Sequence, residues 1–198
     1  MNYLAHAYLS FGNTDLLVGN MISDFVKGKK KYDYPLPVQH GINLHRAIDE
    51  FTDAHPATKK AIEYFRADYR LYSGAFIDVV YDHFLARDTN EFKTGEALLD
   101  FSLRTYQTLE DNFSLLPSRF QNILPHMQQH NWLYNYQYPE GIQRSFGGLV
   151  YRAAYIYEWD TAFTLFTQHY EKLKECYAIF FPSVKKFASL YVSDLPLG

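Results

Sequence analysis

Apolar residues recur at three- and four-residue intervals through most of the chain, and two-residue alternation is rare, so the pattern predicts helices throughout. Leu16, Leu17, Ile22 and the pair Phe25–Val26 mark one helix; Gly28 stands where it would stop, with Lys27 in its last turn. A second opens near Pro35 and runs through Ile42, Leu44, Ile48 and Phe51. It must end near Ala54, because Pro56 disfavours helical backbone just before it. Further helices are expected over Pro56–Arg70 and, after the Ser73–Gly74 punctuation, over Ala75–Arg87. Others follow over Glu96–Leu116, closed by Pro117, then Ser118–His130 and Pro139–Tyr157. Asp160 or Thr161 can cap a long helix to Phe181, which Pro182 is expected to break before a last helical piece. The end, Ser193–Gly198, is expected to fray. With no repeat, no linker and short connections, the economical reading is an all-α, single-domain helical bundle over residues 1–198.

The size and composition fit that reading. A chain of 198 residues can bury one sizeable core, and aromatics at 18% are far too abundant for a disordered chain. The formal net charge of -3 predicts no whole-molecule attraction to nucleic acid. The single cysteine, Cys176, cannot form an intramolecular disulfide and reads as a small buried apolar residue, which makes a reducing compartment the default. The start, MNYLAHAYLSFG, lacks a basic stretch and a small-residue cleavage site, and no apolar run approaches a membrane span. A cytoplasmic location without membrane attachment is therefore expected.

Residues able to bind metal crowd into the first 90 positions, inside otherwise apolar helices. The groups are Asn2–His6, Asn20–Asp24, His45–Arg46–Asp49–Asp53 and Asp78–Asp82–His83. Asn20 and Asp24, His45 and Asp49, Asp49 and Asp53, and Asp78 and Asp82 are each four residues apart, so each pair shares a helix face. Facing helices in a bundle commonly build metal sites in this way. Burying several carboxylates together is strongly unfavourable unless a cation compensates them, and mixed His and Asp donors suit Mn, Mg, Fe or Zn.

Taken singly, each residue has a plainer reading. His6 could be a hydrogen-bonded core histidine, Asp53 a helix terminator, Asp49 a salt-bridge partner of Arg46, and Asp82–His83 surface polar residues. The ensemble favours a metal site, because perturbed ionisable groups cluster where function is. There is no H-E-x-x-H, no Glu-x-x-His pair, no G-x-S-x-G elbow and no phosphate-binding glycine loop, and a lone cysteine excludes structural zinc on cysteine pairs. Hydrolysis by metal-activated water fits this inventory best. The basic run Lys27, Lys29, Lys30 and Lys31 follows Asp24 by about one helical turn, roughly 5.4 Å. It would form a cationic rim suited to an anionic macromolecular substrate, extended by Lys59, Lys60, Arg66 and Arg70.

Four segments in order resemble the acyl carrier protein phosphodiesterases: N-Y-L-A-H at Asn2–His6, G-N-M-I-S-D-F-V-K-G at Gly19–Gly28, H-R-A-I-D-E-F-T-D at His45–Asp53, and D-V-V-Y-D-H-F-L-A at Asp78–Ala86. The resemblance implies an HD-like phosphohydrolase fold and a divalent cation, manganese by preference. It also implies hydrolysis of the phosphodiester that joins 4′-phosphopantetheine to the serine of holo acyl carrier protein. The order Asp82–His83 reverses the family pair that gives HD enzymes their name. On this reading His6, Asp24, Asp78, Asp82 and His83 are the expected metal ligands, with His45 a further candidate or an acid for the departing serine. Arg46 would steady the phosphate, Asp49 would orient Arg46 or His45 from behind, and the lysine run would meet the acidic carrier. Two rivals stand beside it: a phosphohydrolase of nucleotides or other small phosphoesters, and a non-catalytic helical module that grips a partner with its many Tyr and Phe.

Overall fold

In the computed structural model, which describes residues 1–195, Asn2 starts the first helix by accepting the Tyr3 N–H on its side-chain oxygen. Helix α1 (Tyr3–Tyr8) is followed by α2 (Thr14–Ile22), which Asn13 caps by accepting the Leu16 N–H at 3.0 Å. The chain then tightens into two 3₁₀ turns, Ser23–Phe25 and Gly28–Asp33. Gly28 takes a positive φ of 58°, a backbone conformation that glycine adopts without steric penalty. Helix α3 (Leu36–Ala54) carries a proline in its first turn and stops before Pro56, which opens α4 (Pro56–Tyr69). After a 3₁₀ turn at Arg70–Tyr72 comes α5 (Ser73–Ala86). Then follow α6 (Gly95–Asp111), α7 (Ser118–Gln129), α8 (Trp132–Asn135), α9 (Pro139–Arg152), α10 (Asp160–Gln168) and α11 (Tyr170–Ser193). Among the described residues there is no strand, and the all-α expectation holds.

Helix α5 is the axis of the fold because it is apolar on nearly every side. Phe76, Ile77 and all residues from Val79 to Ala86 are buried. It packs against α1, α4, α9 and α11. Helix α1 lies between α5 and α2, and α2 runs along α3 in the most extensive helix pair of the molecule. The first three helices are thereby drawn around one point near the N-terminal end of the chain. No helix among the described residues is long and apolar enough to cross a membrane.

Five boundaries depart from the sequence pattern. Helix α2 ends at Ile22 instead of running to Gly28, and α6 ends at Asp111 instead of Leu116. The long helix expected from Asp160 to Phe181 is two helices, because the chain turns at His169, whose ring stacks on Tyr64 with centroids 4.6 Å apart. Pro182 does not break the second of them. An internal proline costs a helix about 3 kcal/mol, and Phe180, Phe181, Val184 and Ala188 around it are all buried. At about 1.5–3 kcal/mol for each large buried side chain, packing outweighs the lost hydrogen bond. The helix expected over Pro139–Tyr157 stops at Arg152, leaving Tyr155 and Tyr157 on an exposed connection. The fraying expected at Ser193–Gly198 lies outside the described residues from Pro196 onward. Cys176 is free and buried, as its apolar surroundings in the sequence suggest.

Candidate metal centre and active site

The site begins with two glycines. A side-chain carbon at Gly19 would stand 2.1 Å from the Val38 carbonyl oxygen, and one at Gly41 would stand 2.4 Å from that of Leu16. Only glycine lets the α2 and α3 backbones approach this closely. The consequence appears one turn further along α3, where His45 Nδ1 lies 2.7 Å from the backbone oxygen of Asn20, the residue after Gly19.

Asn20 also fixes the second histidine. Its side-chain oxygen lies 2.8 Å from His6 Nδ1, and its amide nitrogen donates to the His6 carbonyl at 2.8 Å and to Ser10 Oγ at 3.1 Å. Both oxygens of Asn20 that meet the imidazoles can only accept, so each ring must carry its proton on Nδ1. That leaves both Nε2 atoms bare in the neutral form, with lone pairs available to a cation. The rings stack with centroids 3.8 Å apart and planes 14° from parallel, and both Nε2 atoms lie within 3.2 Å of Asp49.

Asp49 faces them. His6 Nε2 is 3.2 Å from Asp49 Oδ1, and His45 Nε2 is 3.1 Å from Asp49 Oδ2 and 3.2 Å from Asp24 Oδ1. His6, His45 and Asp49 thus offer three donor atoms within 4.8 Å of one another, a group compatible with a divalent metal. The fit has a direct sign: His6 Nε2 is buried and close to Asp49, yet it makes no properly aligned hydrogen bond. Orphaned buried nitrogens are rare in folded proteins unless something else binds them.

The electrostatics agree. Burial, and then the neighbouring His45, lower the His6 pKa to about 4. Burial also works against a charged His45, but hydrogen bonds to Asp24 and Asp49 win and raise its pKa to about 9. Burial pushes the Asp49 carboxyl up, yet His45 and His6 hold it far below the usual carboxylate range. Asp24 is lowered first by its hydrogen bond with His45. Two carboxylates are held ionised against two imidazoles, only one of which, His45, is cationic at neutral pH.

A sequence profile described as acyl carrier protein phosphodiesterase matches residues 1–184. The chain belongs to the acyl carrier protein phosphodiesterase family. A Yersinia pestis relative of that name is 32% identical over 188 residues, covering 95% of this chain and 97% of the relative. Relatives of the same name from Klebsiella pneumoniae strain 342 and Escherichia coli O6:H1 are 31% and 30% identical, covering 95% and 96% of this chain and 97% and 98% of themselves. No solved structure matches the fold.

Within this family member, the structure sorts the expected site residues into three groups. His6, His45, Asp49 and Asp24 come together, although Asp49 was expected behind the others and instead faces both imidazoles. Asp78 stands at the edge, its carboxylate 2.9 Å from the Met1 amino group, which is also 3.5 Å from Asp49. Asp82, His83 and Arg46 have other partners in this structure. Asp82 accepts the backbone N–H groups of Asn2, Leu4 and Ala5 at 3.3, 2.7 and 3.3 Å and so serves as a buried cap of α1. His83 has both ring nitrogens occupied, by the Tyr136 carbonyl at 2.7 Å and the Tyr170 hydroxyl at 3.0 Å. Arg46 donates to the Val26 carbonyl at 2.8 Å, tying down the turn after α2 instead of pairing with Asp49.

Lys27, Lys29 and Lys30 are exposed on the stretch directly after Asp24, and Lys31 donates to Asn43 of α3 at 3.0 Å. Arg66 is paired with Glu63 at 2.6 Å, so it does not add a free charge to that rim. Sequence reasoning missed the double role of Asn20 in setting both tautomers. The signal was its position beside Gly19, with Gly41 one turn before His45.

Proposed function

We propose that this protein hydrolyses the phosphodiester between 4′-phosphopantetheine and the serine of holo acyl carrier protein, with a divalent metal, manganese by preference, held by His6, His45 and Asp49. The observation that carries the reading is the pair of stacked imidazoles whose Nε2 atoms converge on Asp49, in a chain of the acyl carrier protein phosphodiesterase family. When bound, the metal would activate a water at neutral pH and offset the negative charge of the phosphate. Asn20 keeps both rings in the ligating tautomer throughout. Asp24 lies beside His45, ionised and largely exposed, which supports its holding the attacking water and taking its proton. Attack forms a new P–O bond and breaks the bond from phosphorus to the serine oxygen. Asp24 then returns its proton to that oxygen, giving apo carrier and 4′-phosphopantetheine.

The exposed amines of Lys27, Lys29 and Lys30 beside Asp24 support an acidic protein as the substrate's larger part. The His–His–Asp group also supports the expectation of an HD-like phosphohydrolase. His45→Ala tests the reading. It should abolish release of phosphopantetheine and lower bound metal together; a variant that keeps full turnover and full metal content contradicts it.

A further inference from the structure

The site described so far can handle a phosphate and its metal but leaves the rest of the prosthetic arm without a seat. A cavity of about 250 Å³ lies beside it, between α1, α8 and α9, lined by Asn2, Tyr3, Trp132, Asn135, Arg144 and Arg152 among others. Compact small-molecule pockets usually run to about 300–1,000 Å³, so this one suits a slender, chain-like ligand.

The cavity and the metal centre share a wall. Tyr3 lines the cavity and precedes His6 by three residues on α1, on the same face and about 4.5 Å along the axis. The ring of Phe120 is 6.4 Å from that of Tyr3 and 5.3 Å from that of Phe25, the neighbour of Asp24. The Tyr3 phenol is raised to about 12, first by burial, and it feels both Arg152 and Asp24. The phenol is thus within electrostatic reach of both the arginine of the cavity and the aspartate of the site.

Helix α9 supplies the floor. Arg144, Gly148 and Arg152 are spaced four apart on one face, so the two arginines are separated by about 12 Å along the axis with a bare backbone between them. Neither guanidinium has a carboxylate partner among the described residues, as the ion pairs there involve other groups. The two asparagines are each half used. Asn2 accepts the Tyr3 N–H on its oxygen, and Asn135 donates its amide nitrogen to the His130 carbonyl at 2.6 Å. One side-chain amide donor and one side-chain carbonyl remain, the complement of a secondary amide.

We infer that this cavity binds the pantetheine arm, with Arg152 on the phosphate, Arg144 and the two asparagines on the amide groups, and Trp132 and Tyr3 against the carbon chain. The inference rests on the proposed reaction and names the substrate contacts of that site. A chain with a phosphate at one end and two neutral amides along its length matches a cavity with unpaired arginines, free amide groups within and aromatic walls.

The test is calorimetric titration of the full-length, Mn²⁺-loaded protein with free 4′-phosphopantetheine, inorganic phosphate and adenosine monophosphate in parallel. Gly148→Leu fills the cavity, and an added carbon there meets only Arg152 Nη1, at an ordinary 3.6 Å, so the helix is left intact. It should weaken 4′-phosphopantetheine by at least about tenfold and leave inorganic phosphate within about twofold; Arg144→Ala should do the same more mildly. Three results overturn the inference: no binding of 4′-phosphopantetheine to the wild type, equal binding to wild type and Gly148→Leu, or adenosine monophosphate binding as tightly as the arm. Failure of the proposed reaction reads differently, since the wild-type protein would then leave holo carrier intact whatever the cavity binds.

Discussion

Gly41 meets Gly19 backbone to backbone: a side-chain carbon on Gly41 would stand 2.9 Å from the Gly19 Cα, and 2.4 Å from the Leu16 carbonyl oxygen. This contact sets the distance between α2 and α3, and through it the reach from the Asn20 carbonyl to His45 Nδ1. Gly41→Ala should force the helices apart. Overpacking of this kind costs about 1–3 kcal/mol, so urea denaturation should show a loss in that range, accompanied by weaker metal binding. An alanine variant of wild-type stability would show that the close approach is dispensable.

Asn20→Ala removes the side-chain oxygen that His6 Nδ1 donates to and keeps the backbone oxygen used by His45. His6 is then free to adopt the other tautomer, so loss should fall on one ligand of the three. Partners that orient a metal-binding histidine are typically worth about 10–100-fold in metal affinity. Calorimetric Mn²⁺ titration of the variant should show a drop of that size, together with lower stability from the unpaired His6 and Ser10 groups.

The pH dependence follows from His45. Its pKa of about 9 in the metal-free protein lies above the ordinary value, so at pH 7 it carries a proton that a metal must displace. Metal affinity should therefore rise with pH, by up to about tenfold per unit where His45 is mainly protonated, and level off above pH 9. The same shift acts on stability with the opposite sense. A raised pKa means the folded metal-free state holds the proton more tightly than the unfolded chain. The stabilisation is full below the unfolded pKa of about 6.5 and is lost as pH rises through 9. Metal titrations and melts at pH 6 to 9.5 check both signs; a metal affinity independent of pH contradicts the pairing of His45 with Asp24 and Asp49.

Asp82→Ala should act on folding. It strips the acceptors from three backbone N–H groups at the start of α1. Each buried donor left unpaired costs about 1–3 kcal/mol, so the loss should reach several kcal/mol in denaturant unfolding. Asp82→Asn keeps one acceptor oxygen and should recover part of that stability, an outcome a direct metal ligand would not give.

Helical periodicity located the longer helices but not the short α1 and α8, and prolines placed the joint between α3 and α4 at the right residue. It failed at Pro182 because a local breaker signal says nothing of the packed rings that outweigh it. The clustering of His and Asp was equally visible, and His6, Asp24, His45 and Asp49 do converge. What spacing could not reveal is which neighbour each face meets. Asp82 shares a face with Asp78, but that face meets the N–H groups of α1. His83 is one residue, about 100° of helix, further round, and it points into the rings of Phe166 and Tyr170. The four-residue pair His45–Asp49 shares one face and does meet at one centre.

The most direct test of metal-dependent removal of the prosthetic arm is the intact mass of holo acyl carrier protein after incubation with the purified protein, with Mn²⁺ added, with a chelator, and with Mn²⁺ restored after chelation. The account predicts a carrier lighter by the phosphopantetheine group in the first and third samples and an unchanged carrier in the second. A carrier left intact in all three, or shortened equally with and without metal, would contradict it.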